Sequence, residues 1–395
     1  MLKIDDLGMN GEGIAHAESG KAIFLPFYLP GEELEDGKII KVSNFRVKPK
    51  CPYFMRCGGC SLEHLNYKSA LEYKQNKVKL SFKKFKLEPK VLPCVPSEKE
   101  YFYRNKLTLK CDGEKIGLYE FNSHNLVEIA ACKIASEEIN KIIRILKEIN
   151  LKNILEIILQ SYKNNVLVTF KLKDNNFKNI ILFEEKIKKI ALNYGIFAYF
   201  NNNLIFKAGQ ESFLKEEFNI KYYFTNNSFY QVNDEVKNKI YEKILSFVLP
   251  ADIVVDAYSG SGLLSAIVAR KAKSVTGIEI VKSATKNADV LKKLNNLNNL
   301  KNINGDTKKE LFSLNFNTII LDPPRAGVDK KVIEILLNKQ PNKIIYVSCN
   351  PITLARDISL LKEAYDIKFL EPYDMFPQTH HVETLAVLEL KTAIK

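Results

Sequence analysis

Between residues 253 and 388 the chain alternates short β-branched runs with stretches of helical character, and the runs stop at acids or turn residues. Ile253-Val-Val-Asp256 leads into Ala-Tyr258-Ser-Gly260-Ser-Gly262, a glycine turn, after which a helix is predicted from 263 to about 271. A run at 274–278 stops at Glu279, and one at 301–304 precedes Asp306. Another at 318–321 stops at Asp322-Pro323-Pro324-Arg325, and one at 343–347 stops at Ser348-Cys349-Asn350-Pro351. Strands joined through helices pair in parallel, because a parallel crossover needs a dozen or more residues. The pattern therefore specifies an α/β fold with a doubly wound sheet. Such sheets bind ligands beyond the carboxyl ends of their strands. Asp256, Glu279, Asp306, Asp322 and Cys349 then lie along one edge.

Each of these positions also has a bland reading. The acids could be helix N-caps or turn residues, Asp306 above all. A lone G-x-G is weak, and Ser265 stands where a third glycine would complete the dinucleotide pattern. An acid at the tip of the second strand suits a ribose diol, the reading taken for Glu279. A lone cysteine at a strand end is usually a small apolar residue. Here Pro351 opens a helix directly after it. The positive end of that helix dipole is expected to lower the thiol from about 8.5. A strand at 365–370 is followed by Asp374-Met-Phe-Pro-Gln-Thr-His380-His381-Val-Glu383 and a last apolar run. If that run is antiparallel, Glu383 begins it beside Cys349. A thiolate and a carboxylate around one pocket suit attack on an electron-poor ring followed by proton removal.

The first half carries a second kind of signal. Cys51, Cys57 and Cys60 form a C-x5-C-x2-C array with Gly58-Gly59 between the last two. Cys94, Cys111 and Cys132 compete as a fourth ligand, and the chemistry leaves zinc and a [4Fe–4S] cluster open. Nothing marks secretion, so a disulfide framework is disfavoured. His16 and His64 read as surface or packing residues. Residues 1–48 read as short strands joined by turns. Residues 62–87 form a basic helical stretch with lysines at 68, 74, 77, 79, 83, 84 and 86. Its alternatives are a solvated face or phosphate contact. Tyr101-Phe-Tyr-Arg104-Asn-Lys106 mixes aromatics with cations, which suits base stacking and phosphate contact. The formal net charge of +13 favours a polyanionic partner, and without Trp any stacking falls to Tyr and Phe. With no signal peptide and no apolar run of about 18 residues, a cytoplasmic protein is expected, with no membrane partner.

The motifs together resemble the S-adenosylmethionine-dependent RNA 5-methyluridine methyltransferases. The pieces are Phe229-Tyr-Gln231-Val-Asn233, Asp256 to Gly262, Gly277-Ile-Glu279, Asp322-Pro-Pro-Arg325, Ser348 to Pro351, Asp374-Met-Phe-Pro and His381-Val-Glu383-Thr, in family order. Leu263 departs from the pattern, where the family often has Asn. The resemblance implies Cys349 as nucleophile and Glu383 as base. It implies Gln231, Tyr258, Glu279 and Asp322 around the methyl donor and uracil. It favours a [4Fe–4S] cluster on Cys51, Cys57, Cys60 and Cys132, and an RNA-binding barrel, truncated at its first strand, over 1–48. The implied layout is that barrel, a cluster- and RNA-binding α+β domain over 49–220, and a class I methyltransferase domain over 221–395. The substrate implied is 23S rRNA, acted on by a monomer.

Other readings compete. Transfer-RNA uridine 54 is the alternative substrate. A non-catalytic RNA-binding or folding protein would have no need of Cys349 or Glu383, yet both are present. Adenine N-methylation, suggested by Asp-Pro-Pro, usually places an aromatic after the prolines, where this chain has Arg325.

Overall fold

The computed structural model describes residues 1–190, 193–227 and 230–391. It opens with β1 (Leu2–Leu7), β2 (Gly13–His16), β3 (Ala22–Leu25), β4 (Glu33–Glu35) and β5 (Lys38–Lys41), in the sheet order β3-β2-β1-β4-β5. The first strand is central in this sheet, with β3 and β5 at its edges among the described residues. Helix α1 (Tyr67–Lys84) follows, capped by Asn66, whose side chain accepts from the Ser69 amide.

A second sheet comprises β6 (Lys106–Asp112), β7 (Lys115–Tyr119), β8 (Leu126–Glu128), β9 (Ile154–Tyr162), β10 (Asn165–Leu172), β11 (Asn193–Phe200) and β12 (Asn203–Gly209), ordered β12-β11-β10-β9-β6-β7-β8. Helices α2 (Glu137–Leu146) and α3 (Lys178–Ile187) cover one face, packing Ile143, Leu146 and Phe183 on Ile157, Val168 and Phe170. The hairpin of β13 (Ser212–Glu217) and β14 (Ile220–Thr225) covers part of the other, through Phe213 and Phe224 on Leu167 and Phe197.

The third sheet is the one expected from the strand–helix alternation. Its elements are α4 (Asp234–Phe247), β15 (Ile253–Ala257), α5 (Leu263–Ala269), β16 (Ser274–Glu279), α6 (Lys282–Leu294), β17 (Leu300–Asn304), α7 (Thr307–Glu310), β18 (Thr318–Leu321), α8 (Lys330–Lys339), β19 (Lys343–Ser348), α9 (Pro351–Leu361), β20 (Tyr365–Tyr373) and β21 (Glu383–Leu390). The order is β17-β16-β15-β18-β19-β21-β20. β15 to β19 run parallel, and β21 runs antiparallel between β19 and β20. Helices on both faces bury β18 completely, which suits its β-branched and apolar sequence, Thr318-Ile-Ile-Leu321.

Packing crosses the boundary read from sequence at 220. Val78 and Phe82 of α1, with Val91, join the core made by Leu354, Ile358 and Leu370 of the third sheet. Ile220 and Tyr222 of the hairpin join Leu264 and Leu291. Apolar positions show that an element is covered but not by which layer, so the sequence could not assign α1 to the later sheet.

Candidate active site

The glycine turn after β15 is held in left-handed backbone, with φ of 69° at Tyr258, 55° at Gly260 and 79° at Gly262. A bulky residue with positive φ is uncommon and clusters at functional turns. At Gly262 a Cβ would stand 2.6 Å from the Ala288 Cβ of α6, so only glycine permits this helix contact. The Glu279 carboxylate accepts from the Gly260 amide at 2.9 Å and the Val281 amide at 2.7 Å. It thereby fixes the turn as well as standing at the strand tip. Buried Asp256 accepts from the Ser265 hydroxyl, so the residue that breaks the three-glycine pattern partners this carboxylate. Burial, with the neighbouring charges of Asp322 and Glu279, pushes Asp256 up to about 7. Asp306 takes the bland role: it caps α7, accepting from the Lys308 amide.

Tyr230 packs against Tyr222 and Phe224, and its hydroxyl donates to the Tyr223 carbonyl at 2.7 Å. With Ser261 of the glycine turn it lines a cavity of about 170 Å³. The Gln231 carbonyl accepts from the Asn105 amide side chain at 3.0 Å. Phe229 of the same motif lies outside the described residues.

The antiparallel register pairs Ser348 with Thr384, which sets the next residue, Cys349, against Glu383 at the start of β21. Asn350 caps α9 with Pro351 in its first turn. Asn350 and Thr353 both donate to the Arg325 carbonyl, tying this helix start to the Asp322-Pro-Pro-Arg325 loop. Burial raises the Cys349 thiol, and so does the Glu383 carboxylate; the Arg325 charge and its hydrogen bond pull it back down. The helix dipole was expected to lower this thiol, but desolvation beside an acid outweighs it. Asp322 is raised to about 7 by burial. Glu383, 3% exposed, is pushed well above the ordinary carboxylate range by burial first and Asp322 second, against Arg325.

The loop that delivers Glu383 is braced by residues far away in sequence. Lys74 and Asp374 form an ion pair with both side chains 1% exposed, and Lys74 also donates to the Phe376 carbonyl at 3.0 Å. Lys77 donates to the His380 carbonyl at 2.8 Å, and the Tyr103 hydroxyl to the Pro377 carbonyl at 3.0 Å. Lys74 and Lys77 therefore serve neither of the two alternatives for the basic stretch, a solvated face or phosphate contact, and Tyr103 is not free to stack on a base, because all three are buried. Tyr101 also faces inward, with Lys50 over its ring and its hydroxyl on Glu63. The available signal was the neighbourhood of the two lysines: Ala70, Tyr73 and Val78 put that face of α1 inside. Lys68, Lys79, Lys83, Lys84 and Lys86 remain exposed.

Cys51, Cys57, Cys60 and Cys132 line one cavity of about 340 Å³, with Glu63 and Arg104. Cys94 is buried elsewhere, and Cys111 packs on the core of the second sheet. Burial is the leading cause that raises all four cavity thiols. Among the described residues no three His, Cys, Asp or Glu side chains stand close enough to hold one metal ion. His64 is buried against Phe27 and Phe54, and His16 pairs with Asp5 on the surface. No helix of the described residues is long and apolar enough to cross a membrane.

The family model for tRNA (uracil-5-)-methyltransferase matches residues 66–391. An uncharacterized RNA methyltransferase of Halalkalibacterium halodurans is 32% identical over 445 aligned positions, covering 99% of this chain and 96% of the relative. One of Caldanaerobacter subterraneus is 33% identical, covering 98% and 97%. Among solved structures, the Pyrococcus abyssi tRNA (uracil-54, C5)-methyltransferase in complex with S-adenosyl-L-homocysteine superposes with a TM-score of 0.81 at 27% identity, covering 98% of this chain and 100% of that one. The doubly wound sheet, the glycine turn with its strand-tip acids and these matches agree: the chain belongs to the tRNA (uracil-5-)-methyltransferase family and is an S-adenosylmethionine-dependent RNA uracil-C5 methyltransferase.

Proposed function

We propose that Cys349 and Glu383 carry the methylation of uracil C5 through a covalent adduct. The observation behind this is the β19–β21 register, which sets the thiol against the buried carboxylate with Arg325 and Asp322 around them. C5 of uracil is a poor nucleophile. The Cys349 thiolate adds to C6, and the C5=C6 electrons move to make C5 an enolate carbon. C5 then takes the methyl group from the sulfonium of S-adenosylmethionine, leaving S-adenosylhomocysteine. Glu383 removes the C5 proton, the double bond re-forms, and the thiolate leaves. Arg325 offsets the acids beside the thiol and favours its charged form. Gln231, Tyr258 and Glu279 are assigned to the donor and Asp322 to the uracil edge. Structured RNA must flip its target base to reach such a pocket.

The order of steps gives the test. Cys349→Ala is expected to bind donor and RNA, form no covalent species and show no turnover. Glu383→Gln is expected to add and methylate, then stall as a protein–RNA adduct that survives denaturing electrophoresis. Near-normal turnover by Glu383→Gln, or an adduct from Cys349→Ala, would overturn the assignment.

We further assign Cys51, Cys57, Cys60 and Cys132 to a [4Fe–4S] cluster. Four thiols around one cavity fit a group in which each iron takes its own cysteine, an arrangement wider than the shell of a single ion. The cluster would tie the cysteine loop to the second sheet, since methyl transfer from a sulfonium moves no single electron. We assign 23S rRNA as substrate on the combination of the N-terminal sheet with the cysteine array. The acting unit is assigned as a monomer, since every proposed residue comes from one chain. One observation favours transfer-RNA uridine 54 instead: the Pyrococcus abyssi structure, named for that position, matches 98% of this chain, N-terminal sheet included. Mapping 5-methyluridine in both RNAs of a deletion strain separates the two.

A further inference from the structure

Helix α9 starts at Pro351, just beyond Cys349, and carries a buried acid that the proposed chemistry does not use. Asp357 is 1% exposed, on a helix that also buries Leu354, Ala355 and Ile358. Aspartate is a poor helix former, and a buried carboxylate is costly unless it is paired and hydrogen-bonded. The partners of Asp357 show what it holds. Its Oδ1 accepts from Arg356 Nε at 2.8 Å, and its Oδ2 from the Tyr346 hydroxyl at 2.7 Å and the Val328 amide at 2.8 Å. Val328 belongs to the loop that runs from Asp322, after β18, towards α8. Arg356 Nη2 donates to the Ala326 carbonyl of that loop at 2.8 Å. Asn350 and Thr353 already donate to the Arg325 carbonyl. Positions 350, 353, 356 and 357 lie on one side of the helix, so α9 holds the backbone of Arg325, Ala326 and Val328 together. Gly327, between them, shows how close the contact is. Its φ is 82°, and a Cβ there would stand 2.5 Å from Asp357 Oδ2 and 2.6 Å from Arg356 Nη2.

The side chain aimed by this backbone is Arg325. The charged groups that act on the Cys349 thiol are Glu383 of β21 and Arg325 and Asp322 of the loop. Arg325 is the positive one of the three, and it also hydrogen-bonds the thiol. An arginine side chain has several rotatable bonds, so keeping its head at one thiol is costly unless its backbone is fixed. Arg356 and Asp357 spend their own side-chain bonds on the loop, on Tyr346 and on each other. Any effect they have on the thiol therefore passes through Arg325.

We propose that Arg356 and Asp357 are positioning residues: they latch the loop of residues 322–328 to the helix that starts beyond Cys349, and so hold the Arg325 guanidinium at the thiol. This rests on the reading of Arg325 as the charge that favours the thiolate. The test follows the pH dependence of Cys349 alkylation by iodoacetamide in the full chain, read on the Cys349 peptide by mass spectrometry. Arg325→Met, Arg356→Met and the double variant Arg325→Met/Arg356→Met are compared with the wild type. Asp357→Asn is added because its amide oxygen can still accept from Val328, while the charge that holds Arg356 is gone. Arg325→Met should move the titration of the thiol upward by about one pH unit, the lower end of what a close opposite charge contributes. Arg356→Met and Asp357→Asn should each move it upward by part of that, about half a unit. The double variant should titrate like Arg325→Met, because a residue acting through Arg325 adds nothing once that side chain is gone. A latch that only stabilises the fold predicts a lower unfolding temperature with the thiol titrating as in the wild type. An unshifted thiol in both Arg356→Met and Asp357→Asn, beside a shifted one in Arg325→Met, would overturn the latch alone, and so would additive shifts in the double variant. An unshifted thiol in Arg325→Met would overturn it together with the reading of Arg325.

Discussion

At the residue scale the site is a set of carboxyls held against their charge. Asp256 and Asp322 titrate near 7 in the fold, against an ordinary value of about 3.8. Both therefore bind protons more tightly folded than unfolded. Their contribution to stability is fully present below about pH 4 and is lost as the pH rises through 7. The unfolding temperature of the ligand-free protein is expected to fall between pH 5 and pH 8. Asp256→Asn should flatten that fall, because the amide carries no charge to bury and still accepts from Ser265. A wild-type profile that is flat over this range would contradict the assignment.

At the scale of elements, α1 joins the chemistry from outside the sheet that carries it. Its Lys74 pairs with Asp374 across 300 residues of sequence and braces the loop ahead of Glu383. Lys74→Met leaves a buried carboxylate unpaired, at a cost of about 3–5 kcal/mol. Turnover is expected to fall with donor binding retained, while Lys74→Met/Asp374→Leu should regain most of the stability but not the turnover. Calorimetry with single-turnover kinetics decides this, and full activity in Lys74→Met would remove the bracing role. The exposed end of the same helix makes a separate prediction. Replacing Lys83, Lys84 and Lys86 by Ala should change stability by less than about 0.5 kcal/mol. It should weaken RNA binding and flatten its salt dependence. Unchanged affinity from low to high salt would make this a solvated face.

On the scale of the whole molecule, the cysteine cavity joins the segment after the first sheet to the second sheet, and Val232, ahead of α4, also lines it. A cluster there would act as a staple between layers. Anaerobically purified protein is expected to be brown, with about four irons per chain. Cys57→Ser and Cys60→Ser should bleach it and lower its unfolding temperature and solubility. Stoichiometric zinc without iron would refute the cluster.

The sequence by itself determined the third sheet and the positions on its edge. Strand runs at 253, 274, 318 and 343, each stopped by an acid or a polar turn, leave few ways to wind a parallel sheet, so Asp256, Glu279, Asp322 and Cys349 could be placed from period and turn chemistry alone. Two matters depended on long-range packing. Whether Glu383 faces Cys349 depended on β21 running antiparallel in a register where Ser348 meets Thr384, and a shift of one residue would turn the carboxylate to the other face. Whether Lys74 and Lys77 meet RNA or protein depended on which layer covers α1. Local patterns report that a surface is buried; only the tertiary structure supplies the partner. Spacing alone likewise left Cys94, Cys111 and Cys132 open, the family resemblance pointed to Cys132, and long-range packing brings Cys132 to the cavity of Cys51, Cys57 and Cys60.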